Sequence, residues 1–102
     1  MYRVDLGDAK RGHEQRGRRY GLVVSVQRDT WSTVVIVPTS TSAQPAVFRP
    51  QLTIADRDTL LLVDQIRTID TRYVVGDPVD YLANEDMAQV EQTLSLYLGL
   101  HG

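Results

Sequence analysis

Between positions 10 and 26 the chain reads KRGHEQRGRRYGLVVSV. Lys10, Arg11, Arg16, Arg18 and Arg19 crowd into ten residues, with Glu14 and Gln15 among them and Arg28 just beyond. Cations held this close create a field suited to gripping a polyanion, and a loop anchored on a rigid strand keeps them together at little ordering cost. A solvated charged loop has the same composition, so charge alone leaves both readings open. His13 is the group in this loop whose unperturbed pKa lies near neutrality, as proton transfer requires.

The elements that must position these groups follow from the periodicity. Residues 2–6 (YRVDL) alternate and read as a short strand with Tyr2, Val4 and Leu6 on one face. Residues 7–19 form the loop, and residues 20–26 form a second strand, buried through Leu22, Val23, Val24 and Val26. Residues 33–38 (TVVIVP) are apolar on both faces, which marks a central strand ended by Pro38. A hydroxyl-rich loop, Thr39-Ser40-Thr41-Ser42, follows. Residues 46–52 read as an edge strand because Pro50 cannot donate to a ladder, and residues 55–58 as a turn. Residues 59–63 are a buried strand continued at 66–69, residues 71–75 a helical turn, and residues 78–82 a last short strand. One helix closes the chain, with Asn84 as N-cap, Glu85 and Asp86 in its first turn, and Gly99 as C′. Met87, Val90, Leu94, Tyr97 and Leu98 recur on one of its faces as a packing stripe. Many short strands and one helix imply a mainly β (α+β) fold: a small, partly open antiparallel β-barrel with the C-terminal helix packed on it.

At 102 residues and 42 % hydrophobic content the chain is a single domain with one modest core. It has no apolar run of membrane-spanning length and no signal-peptide core, so a cytoplasmic location is the expectation. Without cysteine there is no disulfide and no thiolate chemistry, and two distant histidines do not make a metal site. No cofactor is expected. The net charge of -2 conceals an asymmetry: residues 1–28 carry seven Lys/Arg against three Asp/Glu, and the remainder four against ten. A basic face on an acidic domain fits a local nucleic-acid site, or an acidic protein segment bound there.

Five stretches, taken in order, resemble the MazF/PemK (Kid) toxins of type II toxin–antitoxin systems. They are VDLG at 4–7, RGHEQRGRRYGLVVS at 11–25, VIVPTSTS at 35–42, LLLVDQIRTID at 60–70 and the closing NEDMAQVEQTLSLYLGL at 84–100. The resemblance covers nearly the whole chain. It implies an SH3-like, CcdB-like barrel, a homodimer, and metal-independent, sequence-specific cleavage of single-stranded RNA (mRNA, with tRNA or rRNA as other targets). In such cleavage the ribose 2′-OH attacks, leaving a 2′,3′-cyclic phosphate and a 5′-OH. It also implies a cognate MazE-like antitoxin whose flexible acidic tail covers the groove.

The family's site residues carry over by position. Arg19 matches its active-site arginine, and a guanidinium that stays protonated suits stabilising a phosphorane-like transition state. Ser40 falls where a threonine usually donates to a phosphate oxygen, with Thr39 and Thr41 as neighbours able to take that role. His13 and Asp64 match a second, Kid-type catalytic pair, although the arginine that completes that set is Leu62 here. Glu14, Gln15, Arg16, Arg18, Gln65 and Arg67 match or adjoin positions that shape the groove and meet RNA. Tyr20 replaces the family's proline after the active-site arginine and offers an aromatic face for a base. Two other readings remain: a CcdB-like toxin that binds gyrase, and a member that binds RNA or antitoxin without cutting.

Overall fold

The computed structural model describes residues 1–6, 18–26 and 30–100. Seven strands and one helix make up their regular structure: β1 (Tyr2–Asp5), β2 (Arg18–Val23), β3 (Thr33–Ser40), β4 (Gln51–Ile54), β5 (Arg57–Leu61), β6 (Arg67–Asp70), β7 (Val74–Val75) and α1 (Asn84–Tyr97). Two 3-10 turns, Val63–Gln65 and Thr71–Tyr73, lie on either side of β6. All pairings are antiparallel, in the order β4-β5-β3-β2-β1-β7, with β6 laid against β3. The mainly β architecture with a C-terminal helix is the one the sequence implies. Among the described residues no helix is long and apolar enough to cross a membrane.

β3 is apolar throughout because both of its faces are covered. Val34 and Ile36 join Val4 and Ile69 in one buried cluster, whereas Val37 joins Met1, Leu22, Leu61 and Val90 in the other. Alternate strand residues point to opposite faces, so these clusters sandwich the strand. Along one edge β3 pairs with β2; along the other it pairs first with β6 and then, at Thr39 and Ser40, with β5.

Pro38 does not end this strand, contrary to the sequence reading. It stands between the β6 and β5 pairings, and its carbonyl accepts the Leu62 N–H at 2.8 Å. N–H and C=O of one strand residue share an edge, so the missing donor falls where β3 changes partners. Opposite it lies Gly21. A Cβ at position 21 would sit 3.1 Å from Ile36 Cδ1 and 3.2 Å from a Val4 methyl, so the buried side chains close over β2 only because none is there.

Other boundaries also shift. β2 begins at Arg18, which places Arg19 on a strand rather than at a loop end. It stops at Val23 because the Ser25 hydroxyl takes the Val35 N–H at 3.0 Å, and Val26 is exposed. The edge strand is Gln51–Ile54, later than residues 46–52, since the Phe48 and Pro50 carbonyls instead accept from Val63 and Leu61. β5 starts at Arg57 and ends at Leu61. Residues 78–82 form no strand; the Val79 N–H bonds to the Met1 carbonyl.

Ala83, not Asn84, occupies the N-cap of α1, and it makes no side-chain cap. At the other end Gly99 has φ 70°, Leu100 N–H donates to Ser95 O at 2.8 Å and Gly99 N–H to Leu96 O at 3.3 Å. This is a Schellman closure, which needs the left-handed residue that glycine supplies. Val90 is fully buried, with Met87 and Leu94 packed beside it. Leu98 remains half-exposed.

Ala55 and Asp56, at φ 49° and 65°, form the two-residue turn between β4 and β5. Two consecutive positive φ values match the twist of a tight hairpin, a conformation that non-glycine residues adopt at a cost. Asp80 holds this turn from outside: its carboxylate accepts the Ala55 N–H at 3.0 Å and the Tyr81 N–H at 2.8 Å. These bonds keep the Asp80 carboxyl below the usual carboxylate range. A depressed folded-state pKa adds stability that is complete above the unfolded value and is lost as the pH falls through the folded one. Asp80→Asn, which mimics the protonated acid, will therefore melt below the wild type at neutral pH, and the gap in melting temperature will close in acid.

Candidate functional site

The β1–β2 register sets Val4 opposite Arg19 and Arg3 opposite Tyr20. On its other edge β2 pairs Gly21 with Pro38. Continuing that register by two residues brings Tyr20 beside Thr39 and Arg19 opposite Ser40. The Thr39 hydroxyl donates to the Tyr20 carbonyl at 2.8 Å, which ties the start of β2 to the end of β3.

Around them opens a cleft of about 550 Å³. Its described lining is Arg3, Val4 and Asp5 of β1, Arg19 and Tyr20 of β2, Thr39 and Ser40 of β3, Thr41, Arg57 of β5 and Val75 of β7. Three arginines and one aspartate among these residues give the lining a cationic balance.

The three hydroxyls here are not equivalent. Thr39 is buried and its only proton is committed to Tyr20 O. Thr41 is exposed. Ser40 is 4 % exposed, and its oxygen accepts N–H groups from Ser42 at 3.1 Å and Ala43 at 2.9 Å. A hydroxyl has two lone pairs and one proton, so an oxygen accepting twice keeps that proton to donate. Capping its own loop and donating to a ligand are therefore compatible roles for Ser40.

Asp64 lies apart from this group. In the 3-10 turn Val63–Gln65 its carboxylate receives a two-pronged bond from Arg49, Nε to Oδ1 at 3.0 Å and Nη2 to Oδ2 at 2.9 Å. Arg49 Nη1 also donates to Gln44 O at 3.0 Å, and the Asp64 carbonyl accepts the Tyr97 hydroxyl at 3.1 Å. The Phe48 and Tyr97 rings meet edge to face, 5.0 Å apart. The carboxylate raises the hold of Arg49 on its proton, and the cluster ties the segment after Ser40 to the turn and to α1. Asp64, a catalytic candidate from sequence, is thus held by Arg49 and is not among the described lining residues of the cleft. Gln65 and Arg67 are half-buried and are not among the described lining residues.

Tyr20 packs partly against the core, which restricts the stacking role foreseen for it. Arg18 stands in β2 opposite Asp5. Its side chain, and His13, Glu14, Gln15 and Arg16 entirely, lie outside the described residues. Sequence reasoning missed Arg3, Asp5 and Arg57 in the cleft and Arg49 behind it. The one available signal was Arg3, a charge at the outward position of an alternating strand.

Side chains 17 % and 29 % exposed place the Arg49–Asp64 pair between surface and core. A double-mutant cycle with Arg49→Ala and Asp64→Ala, read by denaturant unfolding, will give a coupling energy of about 1–2 kcal/mol.

Comparison with known proteins accords with this geometry. Residues 1–98 match the family described as PemK-like, MazF-like toxin of type II toxin–antitoxin system. The chain is 64 % identical over 100 residues to the toxin candidate Rv3098A of Mycobacterium tuberculosis, spanning 98 % of this chain and 94 % of that one. It is 30 % identical over 116 residues to the endoribonuclease MazF of Staphylococcus saprophyticus, spanning 99 % and 89 %. Its fold matches that of an endoribonuclease solved in complex with its cognate antitoxin from a mycobacterial species, with TM-score 0.76, 23 % identity, and 99 % and 92 % of the two chains covered. The chain belongs to the PemK/MazF family of type II toxins.

Proposed function

We propose that this toxin is a metal-independent endoribonuclease that cuts single-stranded RNA at a short sequence and acts as a homodimer. The observation that carries the proposal is that Arg19 and the hydroxyl residues Thr39, Ser40 and Thr41 line one cleft together with Arg3 and Arg57. In the reaction the ribose 2′-oxygen bonds to phosphorus and loses its proton, while the bond to the 5′-oxygen breaks and that oxygen gains one. The products are a 2′,3′-cyclic phosphate and a 5′-OH.

Negative charge builds on the non-bridging oxygens as the fifth bond forms. A permanently protonated guanidinium and a hydroxyl donor can meet that charge where it develops, which is where electrostatic stabilisation lowers a barrier most. Arg19 and Ser40 have these roles in the proposal. His13 is the residue suited to move the protons, by its pKa class. The 30 % identical relative named an endoribonuclease supports the activity.

The neighbour solved with its cognate antitoxin supports a partner of that kind for this chain. An acidic, flexible segment laid along the same cleft would satisfy its cations and exclude RNA.

The test is incubation of the purified protein with long single-stranded RNA in excess EDTA, followed by mapping of every new 5′ end. The wild type will cut at one short motif and leave 5′-OH ends. Arg19→Ala and Ser40→Ala will each lose about 10²-fold or more in rate while keeping the wild-type fold by circular dichroism. Absence of cutting by antitoxin-free wild type, or full activity in Arg19→Ala, would contradict the proposal.

A further inference from the structure

The backbone of Ser40 is fixed by its pairing with Leu60 of β5. Its side chain lacks the β-branch that stiffens a threonine, so the place of its oxygen depends on what bonds to it. Those bonds come from the Ser42 N–H at 3.1 Å and the Ala43 N–H at 2.9 Å. With both lone pairs engaged, the oxygen has one direction left for its proton. The conformation of residues 42 and 43 therefore decides which way the Ser40 hydroxyl donates.

Core packing does little to hold that conformation, because all of residues 41–47 except Ala43 are exposed. Arg49 holds it instead. Its Nη1 donates to the carbonyl of Gln44, the residue directly after Ala43, at 3.0 Å. Its backbone N–H donates to the Ala46 carbonyl at 3.1 Å. The other two guanidinium donors are taken by the Asp64 carboxylate, Nε to Oδ1 and Nη2 to Oδ2. A two-pronged contact of this kind sets the plane of the guanidinium, and with it the aim of Nη1. Asp64 itself stands in the turn that the Tyr97 hydroxyl and the Phe48 carbonyl bind.

We propose that Arg49 is a positioning residue: braced by Asp64, it pins Gln44 and so keeps the Ser42 and Ala43 N–H groups on Ser40 Oγ, which fixes the direction in which that hydroxyl donates. This inference rests on the ribonuclease reading and on the part that Ser40 takes in it. Arg49 and Asp64 are not among the described lining residues of the cleft, so their loss acts through Ser40. A misdirected donor weakens the transition state more than the bound substrate, and the change falls on kcat.

The experiment measures kcat and KM on RNA for wild type, Arg49→Gln, Asp64→Asn, Ser40→Ala and the double variant of Ser40→Ala with Arg49→Gln. Asp70→Asn, which breaks the Asp70–Arg72 pair outside the cleft lining, serves as control. Arg49→Gln will lose about tenfold in kcat at the wild-type KM. Asp64→Asn will lose no more than that, and Asp70→Asn will match the wild type. In the Ser40→Ala background Arg49→Gln will cost nothing further, because the hydroxyl it directs is gone. Independently of activity, the Ser42 and Ala43 amides will exchange their hydrogens faster in Arg49→Gln than in wild type. Asp64→Asn carries the same cycle with Ser40→Ala should Arg49→Gln unfold.

A wild-type kcat in Arg49→Gln, alongside a wild type that cuts RNA, would overturn the inference and leave the ribonuclease reading standing. Equal losses in the presence and absence of the Ser40 hydroxyl, a change confined to KM, or unaltered exchange at Ser42 and Ala43 would also overturn it. So would a loss in Asp64→Asn well beyond that in Arg49→Gln, which would assign Asp64 to the reaction itself. A wild type that does not cut RNA would remove both readings together.

Discussion

The structure depends on one strand serving three partners. β3 is held along one edge by β2 and along the other first by β6 and then by β5, and the change of partner falls at Pro38. A residue with a donor at that position would leave an N–H facing the gap between two ladders; proline has none to leave. Beyond the gap the strand continues for two residues, Thr39 and Ser40, and these are the ones that reach the cleft. The tolerance of one strand for a proline thus sets where Thr39 and Ser40 stand. Gly21, opposite Pro38, lets the Ile36 and Val4 side chains close over β2 at the same level.

Hydrogen-bond accounting then separates chemically similar groups. Thr39 and Ser40 are adjacent, buried and both hydroxylated, yet one donates to backbone and the other accepts from it twice. Only the second has a proton left to offer. The same accounting reassigns Asp64, whose carboxylate is occupied by Arg49 in a cluster that also engages Gln44, Phe48 and Tyr97.

How much of this was legible in the sequence varies with the range of the interaction. The apolar run at 33–37 identified the central strand, the Val90 stripe identified the helix, and Gly99 its end, because each depends on neighbours within a few residues. Motif resemblance singled out Arg19 and Ser40, and both are among the residues that line the cleft. The extension of β3 past Pro38 was illegible, since it requires knowing that two other strands leave a gap there. The helix start was misplaced by one residue because Asn84 is a good capping type, and nothing local says that Ala83 takes the position instead. Arg3, Arg57 and Arg49 carry no motif and acquire their surroundings only from strand order and loop packing. The Arg49 partner of Asp64 was illegible because it lies fifteen residues away in a segment with no periodicity.

The central claim is that Arg19 and Ser40 act on the same phosphate. The direct measurement is a crystal structure of the protein with its cleaved RNA motif, made inert by a 2′-deoxy sugar at the cutting position. The account predicts non-bridging oxygens of that phosphate within hydrogen-bond distance of Ser40 Oγ and of the Arg19 guanidinium, with Asp64 still paired to Arg49. A phosphate bound away from Ser40, or an Asp64 released from Arg49 and turned toward the 2′ position, would contradict it.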